Sequence, residues 1–174
     1  MNILWCITGA GDFLKESIQV MGQLEHANIT VFVSKAGEEV LVKYKLLREL
    51  KKLWAVEVDK DYAAEKAGKV TLGTYDTVVI SPATANTIAK IANGIADDLI
   101  TTAVSLAIKT GIPVYTVPTD WLAKNVHIPD ALTPGGKHVH MRPRKSDLRN
   151  LKYLEEEGIR IFESPKKLLQ ELKK

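Results

Sequence analysis

Short β-branched apolar runs alternate with longer stretches of helical periodicity along almost the whole chain, and this alternation limits the folds open to it. Ile3 to Thr8, Ile29 to Val33, Thr77 to Ser81, Pro113 to Val117 and Ile159 to Phe162 read as strands, with a shorter one at Val56 and Val58. Asp12 can cap a helix running to about Glu25, with Leu14, Ile18, Met21 and Leu24 on one face. Further helical stretches open at Ser34, cover Lys45 to Lys52, Ala83 to Asn93 and Asp98 to Thr110, and resume from Ser146 to about Glu157 and again from Pro165. This strand–helix–strand order predicts an α/β fold, a parallel sheet with helices on both faces. Ligands of such sheets bind outside the carboxyl ends of the strands, where the strand order reverses.

Composition narrows the function classes. The chain has 174 residues, 45% of them hydrophobic and 26% charged, which predicts a single domain over residues 1–174. Its 24 basic and 21 acidic residues leave a net charge of +3, too slight to argue for nucleic acid. Cys6 is the lone cysteine, so the chain carries neither an internal disulfide nor a cysteine-ligated iron–sulfur cluster. No apolar run approaches the roughly 20 residues that span a bilayer, and the first residues lack a basic leader pattern. A cytoplasmic protein is the expectation, with no nucleic-acid or membrane partner.

The residues just after the strands are the candidate site. Thr8, Gly9, Ala10 and Gly11 give backbone N–H groups room to approach an anion, or simply make a tight strand-to-helix turn. The third glycine of a dinucleotide loop is replaced by Leu14, so a single phosphate suits it better than a pyrophosphate. Ser34, followed by Lys35, can cap a helix or hold a phosphate oxygen. Ser81, Pro82, Ala83, Thr84, Ala85, Asn86 and Thr87 place hydroxyls and an amide around a helix start, a combination that helix formation does not require.

Residues 119–147 break the pattern with prolines, Gly135-Gly136 and three of the four histidines, and read as a long loop. His127, His138 and His140 have no acidic or cysteine companion at ligand spacing, and a solvated loop is the better reading than a metal site. The cationic run from Lys137 to Lys145 would suit an acidic protein or a small polyanion, although most such runs are simply solvated. Trp121 is a candidate core or subunit contact, or a ring to stack on a ligand, and Cys6 reads as an inert core thiol.

Pro82 to Thr87, Pro-Ala-Thr-Ala-Asn-Thr, closely resembles the Pro-Ala-Ser-Ala-Asn-Thr motif of the homo-oligomeric flavin-containing cysteine decarboxylase superfamily. Ile88 through Thr101, with Asn93-Gly94 and Asp97-Asp98, continues the match, and the Gly9 and Ser34 regions extend it over most of residues 1–118. The resemblance implies a three-layer, Rossmann-like (flavodoxin-like) FMN-binding domain that assembles as trimers or multiples of trimers, with FMN near a subunit interface. It implies that Thr8, Gly9, Ala10, Gly11, Ser34 and Lys35 lie at the FMN phosphate. Ser81, Pro82, Ala83, Thr84, Asn86 and Thr87 would then lie with Asp97 and Asp98 beside the isoalloxazine ring.

Departures select the branch. The decarboxylases carry a histidine fourteen residues before the motif proline, where this chain has Gly68, and a Pro-x-Met-Asn segment where it reads Pro118-Thr119-Asp120-Trp121. An aspartate there would repel a substrate carboxylate by about 1 kcal/mol even in water. Flavin prenyltransferases are similar around Asp147 to Leu154, but their Arg-Glu pair and Tyr/Arg-bearing tail have no counterpart here. The chain is most similar to archaeoflavoproteins and dihydromethanopterin reductases, in its Trp5 to Gly11 opening, in Ser34 to Val40 and in Arg144 to Asp147. That likeness implies an archaeal electron-transfer flavoprotein or FMN-dependent oxidoreductase. Ferredoxin or a similar low-potential donor would feed it, and a pterin, another small molecule or a protein would accept the electrons. A prenyltransferase-like or decarboxylase-like activity is the alternative.

Overall fold

The structure is a computed structural model that describes residues 1–60, 63–128 and 134–174, with the backbone alone described at 63–64 and 126–128. In chain order the strands are β1 (Asn2–Ile7), β2 (Asn28–Val33), β3 (Ala55–Val58), β4 (Thr77–Ala83), β5 (Val114–Pro118), β6 (Lys124–Ile128), β7 (Lys137–Met141) and β8 (Arg160–Ile161). The helices are α1 (Leu14–Gly22), α2 (Lys35–Lys43), α3 (Leu47–Leu53), α4 (Ala63–Gly68), α5 (Ala85–Ala92), α6 (Leu99–Thr110), α7 (Lys145–Glu156) and α8 (Pro165–Leu172).

Six strands form one sheet in the order β3-β2-β1-β4-β5-β8, every pairing parallel. The chain runs outward from β1 to β3, then returns to β4 on the other side of β1, so the order reverses between β1 and β4. Alternation within β1 shows why both faces must be covered. Ile3, Trp5 and Ile7 pack with Leu14, Met21, Leu41 and Leu168 of α1, α2 and α8, while Leu4 and Cys6 pack with Ile88, Leu99, Val104 and Leu154 of α5, α6 and α7. These five β1 side chains are all fully buried, as expected for a central parallel strand.

Four local expectations change. Phe13 takes the position before α1 with φ 60°, in the left-handed region. Asp12 therefore does not cap the helix and instead forms a salt bridge with Lys124. β4 continues through Pro82 to Ala83, past a register shift between Ile80 and Ala83, because Ala83 pairs with Pro118 of β5. The segment expected to be a loop over 119–147 folds back on itself as the antiparallel hairpin β6–β7 before α7 begins. α4 and the 3-10 turn Lys69–Leu72 have no counterpart in the sequence reading, since their alanine- and lysine-rich residues carry little periodic apolar signal. No helix among the described residues is long and apolar enough to cross a membrane.

The short edge strand β8 is held by a charged clasp to α8. Arg160 pairs with Glu171 at 2.5 Å and lies over the rings of Tyr115 and Phe162, 5.3 and 5.4 Å from their centroids. Lys174 approaches the same carboxylate at 2.7 Å. Arg160 foremost, then Lys174, lowers the Glu171 carboxyl from its usual 4.5 to about 2. A carboxyl lowered in the folded state contributes stability above its unfolded pKa and loses it as pH falls through the folded one. Glu171→Gln is therefore expected to melt earlier than the parent at neutral pH, with the gap closing between pH 4.5 and about 2. A melting gap that stays constant across that window would show that the clasp is not electrostatic.

Candidate functional site

The carboxyl ends of β1 and β4 meet at the reversal point, with β5 beside β4, and one side chain ties β1 to β4. The Thr8 hydroxyl, 1% exposed, donates to the Pro82 carbonyl at 2.7 Å and accepts the Thr84 N–H at 2.9 Å. Thr119, following β5, closes the other side: its N–H donates to the Ala83 carbonyl at 3.0 Å. Thr84 caps α5, its hydroxyl accepting the Thr87 N–H at 3.3 Å. A crevice of about 220 Å³ results, lined by Gly9, Ala10, Gly11, Asp12, Thr84, Thr119, Asp120, Lys124 and Met141.

One wall of the crevice is the loop after β1. Among the described residues, the Gly9 and Gly11 N–H groups donate to no protein acceptor. The loop lies hard against α2. A Cβ at Gly9 would come within 2.6 Å of the Ala36 Cβ, and one at Gly37 within 2.7 Å of the Ile7 carbonyl oxygen. Ser34 caps α2 by accepting the Gly37 N–H at 3.0 Å, so the helix N-terminus and the loop sit side by side. Free N–H groups next to a helix start form a setting suited to an anion.

The hairpin β6–β7 supplies the opposite wall. Lys124 pairs with Asp12 across the crevice, and its ammonium lies 5.1 Å from the Phe13 ring centroid. Asp120 is fixed at the start of α5: its Oδ2 accepts the Ala85 N–H at 3.2 Å and lies 2.9 Å from the Thr119 hydroxyl.

The expected site residues divide into four groups. Thr8, Gly9, Ala10, Gly11 and Thr84 gather around the crevice, and Ser34 and Lys35 adjoin it through the Gly9–Ala36 contact. Asn86 is exposed in the first turn of α5. Ser81, Pro82, Ala83 and Thr87 are buried and spent within the protein. The Ser81 hydroxyl meets that of Ser17 at 2.8 Å, and the Ser81–Pro82 peptide is cis. The Pro82 and Ala83 carbonyls serve Thr8 and Thr119, and the Thr87 hydroxyl lies 3.1 Å from that of Thr84.

Asp97 and Asp98 lie apart from the crevice. Both bind Lys90, at 2.7 and 3.1 Å, and Asp98 also caps α6 in a capping box with Thr101. Their neighbour is Asp59, which follows β3 and accepts the Leu99 N–H at 3.2 Å. Burial pushes the Asp59 carboxyl up, against the Leu99 hydrogen bond, with Asp98 adding to the rise and Lys35 opposing it. Asp59 was missed in the sequence, where a carboxylate directly after a strand was its only signal.

Other conspicuous residues take structural roles. Trp121 packs against the apolar cluster under α5 and α6, and burial chiefly, with the charge of Asp98, pushes the Cys6 thiol up. His140 Nδ1 lies 3.0 Å from the Asn125 side-chain oxygen, and the side chain of His127 lies outside the described residues. Among the described residues no group of three histidine, cysteine or acidic side chains could hold a metal.

A doubly wound parallel sheet with a tight, N–H-presenting loop at its reversal point places the chain among the α/β proteins whose ligands bind at the strand ends. Residues 1–173 match the Flavoprotein family, and the chain belongs to it. It is 43% identical over 135 residues to the dihydromethanopterin reductase (acceptor) of Methanocaldococcus jannaschii, covering 71% of this chain and 55% of that protein. It is 42% identical over 131 residues to the same-named protein of Methanosarcina mazei, covering 68% and 55%. The chain thus spans about half the length of these two reductases. Among solved structures it superimposes on Burkholderia xenovorans DmrB in complex with FMN, described as a cubic protein cage for redox transfer. That match has a TM-score of 0.87 and 34% identity, and covers 99% of this chain and 93% of that one.

Proposed function

We propose that this protein is an FMN-dependent electron-transfer flavoprotein that passes electrons to a small-molecule acceptor of the pterin class. The observation that carries the reading is the strand-end crevice, with uncommitted Gly9 and Gly11 N–H groups beside the Ser34-capped start of α2. That donor set fits a phosphate monoester: neutral N–H groups and a hydroxyl in a loop too tight for a bulky side chain. The names of the relatives support both the cofactor and the acceptor class.

FMN would supply reversible redox chemistry, and the protein its position and surroundings. Gly9, Ala10, Gly11, Ser34 and Lys35 would hold the phosphate. Thr84 and Asn86 would face the ring or the acceptor, and Asp97 or Asp98 would lie at the polar edge of a flavin. Because Asp97 and Asp98 lie apart from the crevice within one chain, that last role needs a second copy. The crevice volume points the same way, since small-molecule sites usually enclose about 300–1,000 Å³. Half-exposed Ile95 and Tyr153 flank an apolar cleft between α5, α6 and α7, a surface fit for contact between copies. The assembly proposed is a trimer or a multiple of trimers, with the flavin near the subunit boundary.

Electrons would arrive from ferredoxin or a similar low-potential protein. Lys137, Arg142 and Lys145 are exposed on β7 and just beyond it, and their positive charge would attract an acidic donor. Mixing the flavin-loaded protein anaerobically with reduced ferredoxin, NADH and NADPH separately is expected to bleach the flavin, fastest with ferredoxin. A protein that takes up no FMN, or whose flavin ferredoxin reduces no faster than free FMN, would defeat the proposal.

A further inference from the structure

We infer that Asp120 selects the electron acceptor, by binding the donor edge of a 2-amino-4-oxo-pyrimidine ring such as that of a pterin. This rests on the FMN-dependent reading above and names the residue that sets its substrate class. Asp120 is the second residue after β5 and shares the crevice with Thr84 and the Gly9–Gly11 loop. It is held in place: Oδ2 accepts the Ala85 N–H at 3.2 Å and approaches the Thr119 hydroxyl at 2.9 Å. That hydroxyl also lies 3.2 Å from the Ala83 carbonyl, and its single proton can go to either oxygen. The carboxylate is the better acceptor for it, since the Ala83 carbonyl already accepts the Thr119 N–H, so Oδ2 is spent within the protein; among the described residues Oδ1 accepts no hydrogen bond and is the oxygen left for a ligand.

The crevice contains a second carboxylate, Asp12, but Lys124 neutralises it. Among the described residues no cation forms a salt bridge with Asp120, and the nearby Arg144 is committed to Asp147 at 2.7 Å. Asp120 is therefore the charged acceptor that the crevice offers to a ligand.

A carboxylate sorts nitrogen heterocycles by their edges. The pyrimidine edge of a flavin reads carbonyl, N–H, carbonyl, so its single donor is flanked by two oxygens that repel a carboxylate. The edge of a 2-amino-4-oxo-pyrimidine carries a ring N–H beside an exocyclic NH₂, two adjacent donors that can approach the open Oδ1 with no carbonyl between them. Asp120 thus fits the acceptor and not the cofactor, and it disfavours substrates that bring their own carboxylate to this point. Sites built to hydrogen-bond a substrate discriminate strongly against analogues lacking the group, because the buried partner is left unpaired.

The test compares 7,8-dihydropterin with 7,8-dihydrolumazine, which carry an amino and an oxo group at position 2 respectively, the oxo form also bearing a proton on N1. Binding of each to the FMN-loaded protein is measured anaerobically by calorimetry, without turnover. The expected result is a dihydropterin preference of at least about tenfold, falling to within about threefold in Asp120→Asn, whose amide offers one acceptor and one donor. The FMN dissociation constant of the variant should stay within about threefold of the parent's. Equal binding of the two pteridines by the parent, or no binding of either, overturns the inference while leaving the FMN reading intact. An Asp120→Asn protein that keeps the preference but loses FMN also overturns it, since Asp120 then serves the flavin. Failure of the parent to take up FMN defeats the proposed function itself. Should the variant not fold, the comparison on the parent still decides.

Discussion

Gly37→Ala is expected to lower the melting temperature by about 5 °C and FMN affinity by at least about tenfold. Alanine ordinarily favours a helix over glycine by about 1 kcal/mol, so local propensity predicts the opposite sign. Packing decides the matter. The added Cβ would lie 2.7 Å from the Ile7 carbonyl oxygen, 3.1 Å from Val33 Cγ1 and 3.2 Å from Ser34 Oγ. The Ile7 carbonyl already accepts the Ser34 N–H at 3.1 Å, and β1 and β2 are central strands with no room to retreat. The start of α2 must therefore move away, and with it the Ser34 cap. Overpacking costs about 1–3 kcal/mol and a lost cap about 1, together outweighing the propensity gain. At about 2–4 °C per kcal/mol for a chain of this size, the net loss is measurable by calorimetry. Gly22→Ala is the control: nothing lies within 4 Å of its added Cβ, so it should melt no lower than the parent. If Gly37→Ala melts with the control, the close approach of α2 to the strand ends is wrong.

Thr8→Val removes one hydroxyl at constant shape and is expected to destabilise by about 2 kcal/mol. The Thr84 N–H loses its acceptor, and the Pro82 carbonyl keeps only the weaker bond from the Thr8 N–H at 3.3 Å. An unsatisfied buried polar group costs about 1–3 kcal/mol, which is why the isosteric change is not neutral. The functional consequence should exceed the loss in melting temperature. This hydroxyl sets the spacing between the β1 loop and the start of α5, so FMN titration of Thr8→Val should show a weakened complex. Thr8→Ser should recover both properties, because it keeps the donor and the acceptor. A valine variant that binds FMN like the parent would show that this bridge does not shape the ligand site.

Much of the fold could be read from residue order. β-branched runs separated by helical stretches implied a parallel sheet with two covered faces, and Leu4 and Ile3 on opposite faces of β1 follow from strand alternation alone. The hairpin β6–β7 could not be read in this way, because its prolines and Gly135-Gly136 are equally the marks of an irregular loop. The capping reading held at Ser34, where the side chain reaches its own helix. It failed at Asp12, because the left-handed turn at Phe13 carries its carboxylate toward Lys124, more than a hundred residues away in the chain.

The site shows the same division. Short-range chemistry, namely small residues and hydroxyls after strands, was enough to nominate Thr8 to Gly11, Ser34 and Thr84. Which nominees border the crevice depended on contacts between distant segments. Ser81 spends its hydroxyl on Ser17 and Thr87 on Thr84, while Asp120 and Lys124 come to the crevice from beyond β5. Periodicity and composition report what each segment does with its own neighbours, and so they determined the strands, most helices and the loops worth suspecting. Each of these polar groups has only a limited number of donors and acceptors to give. Whether they are spent inside the protein or left open to the crevice was decided by the packing of β1, β4, β5 and the hairpin against one another.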